Sequence, residues 1–101
     1  MADRLELQEI LRNVLGSQYV YFQPPNNLEM QYPCIVYRWD RAATKFADNK
    51  RYKGMRGYQV TVLDKDPDSE IPEQIAELPM SLFDRTFVSD KVYHFVYNIF
   101  F

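Results

Sequence analysis

Cysteine occurs once, at Cys34, so no disulfide can close within the chain. That usage fits a reducing compartment, where thiols stay free. Histidine also occurs once, at His94, so any imidazole chemistry would rest on one side chain. The three glycines stand apart at positions 16, 54 and 57. A phosphate-cradling loop needs them close together, so no nucleotide motif is present. No apolar run approaches the length of a membrane span. The first residues are charged and lack an apolar core segment, which predicts no signal peptide. A net charge of −2 is too small to imply a nucleic-acid or membrane partner.

What remains is the composition of a folded protein. The chain has 101 residues, the size of one domain spanning 1–101. It is 47% hydrophobic and 26% charged, which excludes global disorder. Aromatics make up 16%, and their large buried area helps a small domain whose core is limited.

Asp3-Arg-Leu-Glu6 has the form of a capping box. Leu7, Ile10, Leu11, Val14 and Leu15 follow at three and four spacing, and Gly16 suits the position after a helix end. This predicts an amphipathic helix of about three turns. Short strands are predicted over Tyr19–Phe22 and Cys34–Asp40, then Tyr58–Leu63. The second and third form an antiparallel hairpin with a long tip at 41–57. Asp64–Ser69 is a turn in which Asp68 or Ser69 caps a second helix, with Ile71, Ile75 and Leu78 as its stripe and Pro79 as its stop. A last hairpin joins Phe83–Ser89 to Val92–Phe101 near Ser89-Asp90-Lys91. The order α-β-β-β-α-β-β predicts an α+β domain with a mostly antiparallel sheet.

The final strand is unusually apolar. Tyr93, Phe95, Tyr97, Ile99 and Phe101 share one face, and Val92, His94, Val96, Asn98 and Phe100 share the other. The first face is expected under the helices. The second, with Val92, His94, Val96 and Phe100, is expected to meet a neighbouring subunit.

Charge is segregated along the chain. Arg38 to Arg56 carries a net +5, and the rest therefore carries −7. Six acids lie between Asp64 and Glu77, against Lys65 alone. Lys45, Lys50, Arg51, Lys53 and Arg56 interleave with Phe46 and Tyr52, a mixture that can suit phosphates and stacked bases. A solvated hairpin tip accounts for it more simply. A third reading joins the two blocks: the basic stretch of one subunit meets Asp64, Asp66, Asp68, Glu70 and Glu73 of the next. Such a contact joins unlike surfaces and builds rings or filaments.

The alternating Asp64, Asp66 and Asp68 resemble the start of a calcium loop. Ser69 and Ile75 stand where that loop needs glycine and an acid, so a capped turn explains them better. His94 lies in a strand, and no nucleophile motif surrounds Cys34 or the serines, which argues against catalysis. No cofactor or metal is expected.

Three stretches, "YPCIVYRWD", "YQVTVLDKDPDSEIPEQIAELP" and "FDRTFVSDKVYHFVYNIFF", resemble the tail-terminator (tail-completion) proteins of long-tailed siphophages. The similarity runs over nearly the whole chain, and the block from Tyr58 to Pro79 with Phe83-Asp84-Arg85 is its most specific part. The resemblance implies a non-enzymatic structural protein of the virion neck, assembled in the host cytoplasm. It implies a homo-hexameric ring that caps the tail tube and stops tube polymerisation. Its partners would be the tube protein, the head-completion or connector protein, and DNA passing through the channel without sequence-specific binding. Another neck connector or stopper, or a small nucleic-acid-binding module using the 45–56 tip, are the alternatives.

Overall fold

A computed structural model describes residues 4–25, 29, 31–40 and 56–101. The elements are α1 (Arg4–Leu15), β1 (Val20–Phe22), β2 (Cys34–Trp39), β3 (Gly57–Asp64), α2 (Ile71–Ala76), β4 (Ser81–Ser89) and β5 (Val92–Phe100). The strands form one five-stranded sheet in the order β1-β2-β3-β5-β4. β1 runs parallel to β2, and every other neighbouring pair is antiparallel. This is the α+β fold with a mostly antiparallel sheet that the element pattern predicts.

Four of the five residues of the expected helix stripe turn toward the sheet, and Ile10 joins neither core cluster. Leu7 and Leu11 are buried, and Val14 and Leu15 pack at the margin of the same core. They meet Ile35 and Tyr37 of β2, Tyr58, Val60 and Val62 of β3, and Tyr97 and Ile99 of β5. The register explains the shared face: Tyr58 lies opposite Ile99, Val60 opposite Tyr97 and Val62 opposite Phe95. In an antiparallel pair, residues directly opposite point the same way. Ile75 closes the core from α2. At the edge of this core the Tyr37 hydroxyl donates to Gln8 Oε1 at 2.7 Å and accepts from Arg4 Nη1 at 3.0 Å. The buried phenol therefore keeps its polar end satisfied.

Gly16 has φ +79°, and its N–H bonds the Arg12 carbonyl at 2.8 Å. The left-handed residue expected after α1 is therefore glycine, where no Cβ opposes it. Asp3, the expected cap, lies outside the described residues. α2 starts differently from the expectation. Its cap position is Glu70, with no side-chain cap bond. Ser69 Oγ accepts the Ile71 N–H at 3.4 Å, while Asp68 takes no part in the cap. Pro72 sits in the first turn, where a missing N–H breaks no helical bond. β4 begins at Ser81, two residues before the expected start.

The last hairpin turns through Asp90 (φ +52°) and Lys91 (φ +64°). Two consecutive positive φ values match a two-residue turn of the type that follows the right-handed strand twist. Lysine is strained there, and glycine is not. Lys91→Gly is therefore expected to raise stability by about 0.5–1 kcal/mol. Urea unfolding checks this, and a lower midpoint would count against the turn.

One expectation about the final strand is corrected. Val92, Val96 and Phe100 are 4%, 2% and 4% exposed, so this face of β5 is already covered. Val92 packs in a second cluster with Cys34 and Leu63, bordered by Tyr19, Tyr21 and Val36. β5 lies between β3 and β4, inside the sheet, and buries residues on both faces.

Candidate interaction surface

A run of exposed apolar side chains lies on β4 instead. Leu82, Phe83, Phe87 and Val88 are 53%, 58%, 41% and 59% exposed, on a strand at the edge of the sheet. Pairing with β5 places Phe83 opposite Tyr97, and Phe87 opposite His94. Phe83 meets the Tyr97 ring edge-on at 5.4 Å. Phe87 stacks on the His94 ring at 4.5 Å. His94 Nδ1 lies 3.0 Å from the Val92 carbonyl oxygen. The single histidine is thus held between a strand carbonyl and an aromatic ring, as a structural histidine would be. Between Phe83 and Arg85 the register shifts by one residue, so Asp84 forms a bulge. Asp84 Oδ2 and Arg85 Nη1 pair at 3.0 Å on the surface.

Beside β4 lies an open groove of about 670 Å³. Phe83, Thr86, Phe95 and Tyr97 form its sheet side, and Asp68, Glu70 and Glu73 stand on its helix side. Burial, reinforced by the nearby Glu73 carboxylate, raises the pKa of the Tyr97 phenol. The groove therefore combines an apolar floor with an acidic wall.

The other acids of that stretch have local work. Asp64 is buried, and its Oδ1 accepts the Asp66 N–H at 3.0 Å. Asp66 Oδ1 accepts the Asp68 N–H at 2.9 Å. These are successive turn bonds of the kind aspartate makes two residues along. Among the described residues, no group of three or more histidine, cysteine or acidic side chains is placed to hold a metal. Of the predicted acidic set, the structure brings Asp68, Glu70 and Glu73 to one groove and turns Asp64 inward.

Of the basic set, Lys45, Lys50, Arg51 and Lys53 lie outside the described residues. Arg56 lies within them. Its guanidinium sits 4.9 Å from the Trp39 ring centre, and its backbone exchanges two hydrogen bonds with Phe101. Arg56 is therefore anchored at the end of the sheet by a cation–π contact and by its main chain.

Cys34 is fully buried, and its thiol is pushed up to about 11, first by burial and then by the Asp64 carboxylate. A thiol so held stays protonated at neutral pH and is a poor nucleophile. The apolar surface of β4 does not stand out in the sequence because both strands of the last hairpin look apolar. The signal that separates them is Asp84-Arg85, two charges in mid-strand that suit an edge and not a sheet interior. No protein-family model matches the chain, and neither does any curated protein or solved structure.

Proposed function

We propose that the protein is a structural component of a phage neck, a tail terminator that forms a homo-hexameric ring on the end of the tail tube. The observation that carries this reading is a coincidence of segments. The stretches that resemble the tail terminators, Tyr58–Pro79 and Phe83-Asp84-Arg85, supply the acidic groove wall and the exposed strand β4. An apolar strip rimmed by charge suits a protein partner. The segregated charge supports the ring: a basic 38–56 stretch against the acidic groove of the next copy is a heterologous contact, and such contacts build rings where their rotation closes.

The mechanism is geometric. One face of the ring matches the last ring of tube protein, and the other face accepts no further tube subunit but offers the head-joining surface. Specificity then comes from shape and charge complementarity and needs no catalysis. Deleting the gene in its phage is the direct test. Overlong tails without heads are expected in electron micrographs. Normal virions would end the proposal.

A further inference from the structure

We infer that β4 is a self-pairing edge: two copies of the free chain join antiparallel along it, about a two-fold axis, to form one continuous ten-stranded sheet. β4 is nine residues long, and no described residue pairs with its outer edge. Its exposed apolar groups lie on both faces, so no helix packed on one face would cover them all. A strand laid alongside extends both faces at once. The opposite edge of the sheet is β1, only three residues long, so continuing the sheet from β4 to a neighbour's β1 would make few bonds. Pairing β4 with itself uses residues 81–88, nearly its whole length, and two-fold pairs are the commonest closed assemblies.

The bulge selects the register. Leu82, Arg85 and Phe87 lie opposite Asn98, Val96 and His94 on one face, while Ser81, Phe83, Thr86 and Val88 lie opposite Ile99, Tyr97, Phe95 and Tyr93 on the other. In an unbulged strand, self-pairing joins residues of the same parity. Here the extra residue at Asp84 inverts that rule. Matching faces now requires Leu82 opposite Phe87 of the second copy, Phe83 opposite Thr86 and Ser81 opposite Val88. Bulge meets bulge, so equal numbers of residues lie between the matched pairs on both strands. Residues on one face also share the direction of their N–H and C=O groups, so matching faces matches the hydrogen-bond phase.

The same register is self-complementary in charge. It sets Asp84 opposite Arg85 of the second copy, and the two-fold axis repeats that pair. Centring the axis on Arg85 instead would oppose two arginines and mismatch the faces beyond the bulge. The bulge and the charges would repel most foreign strands, which is how edges are normally protected. They fit a reversed copy of this strand.

The inference does not rest on the neck reading. A two-fold pair has identical ends and a capping ring has different ones, so the pair is a state of the free chain and not the ring.

Sedimentation of the purified full chain tests it, with a charge-exchange series. The unaltered chain is expected to dimerise. Asp84→Arg places like charges opposite each other twice and is expected to weaken dimerisation about tenfold or more. Arg85→Asp should do the same. The exchanged double variant D84R/R85D restores both pairs and should recover dimerisation. Circular dichroism establishes that each variant is folded. As a check on register, L82C/F87C under mild oxidation should give a covalent dimer, with peptide mapping showing residue 82 joined to residue 87. A chain that stays monomeric at high micromolar concentration would overturn the inference. So would a dimer indifferent to Asp84→Arg, or one cross-linked only 82 to 82.

Discussion

Truncating Leu11 to alanine is expected to cost about 2–5 kcal/mol of stability. Leu11 is 0% exposed, in the middle of the α1 face that covers the sheet. Its removal loses the transfer energy of the buried atoms and leaves a cavity in the core between α1 and the sheet that rigid strands cannot collapse to fill. A chain of this size has a total stability of about 5–15 kcal/mol, so the loss is a large fraction of it. The melting temperature should fall by at least about 10 °C. Leu5 is the control: it lies on the same helix but is 59% exposed. Leu5→Ala should change stability by no more than about 0.5 kcal/mol. Equal losses from the two variants would mean that α1 does not pack as described.

Alkaline pH is expected to destabilise the fold, and Cys34 is the main reason. Its thiol titrates near 9.0 in an unfolded chain and near 11 in the folded one. Between those values the unfolded state has released a proton that the folded state still holds. Stability falls with pH wherever the unfolded state binds fewer protons, so the loss begins near pH 9 and is complete above pH 11. Two pK units correspond to roughly 3 kcal/mol. Tyr37 and Tyr97 act in the same direction above their ordinary value of 10.0, because burial raises both phenols. Urea unfolding from pH 7 to pH 11 should show the midpoint falling from about pH 9. Cys34→Ala removes the titrating group and should flatten the first part of that decline. A midpoint independent of pH, or an unchanged slope in the alanine variant, would contradict the buried placement of Cys34.

Much of the fold was legible because its signals are local. The stripe Leu7, Ile10, Leu11, Val14 and Leu15, followed by Gly16, specifies a helix and its end within four turns of chain. Ser89-Asp90-Lys91 marked the last turn between two strand-like runs. The start of α2 was less legible, because Asp64, Asp66, Asp68 and Ser69 can all bond nearby N–H groups. The structure gives two of those bonds to Asp64 and Asp66, one to Ser69, and the cap position to Glu70. The groove was not legible at all. Its acids are local, but Phe83, Thr86, Phe95 and Tyr97 reach it through two strands and a bulge.

By itself the sequence determined which segments are helix and strand, that the sheet is mostly antiparallel, and that each strand has two distinguishable faces. Period-two alternation says that two faces exist, and it cannot say which neighbour covers each. Only the tertiary structure decided that β5 lies inside the sheet and β4 at its edge, so that Val92, Val96 and Phe100 are covered while Leu82, Phe83, Phe87 and Val88 stand open. The physical reason is burial. A strand apolar on both faces loses least when it has neighbours on both sides, and β4, with Asp84 and Arg85 at its middle, is the arm of the hairpin that water can keep.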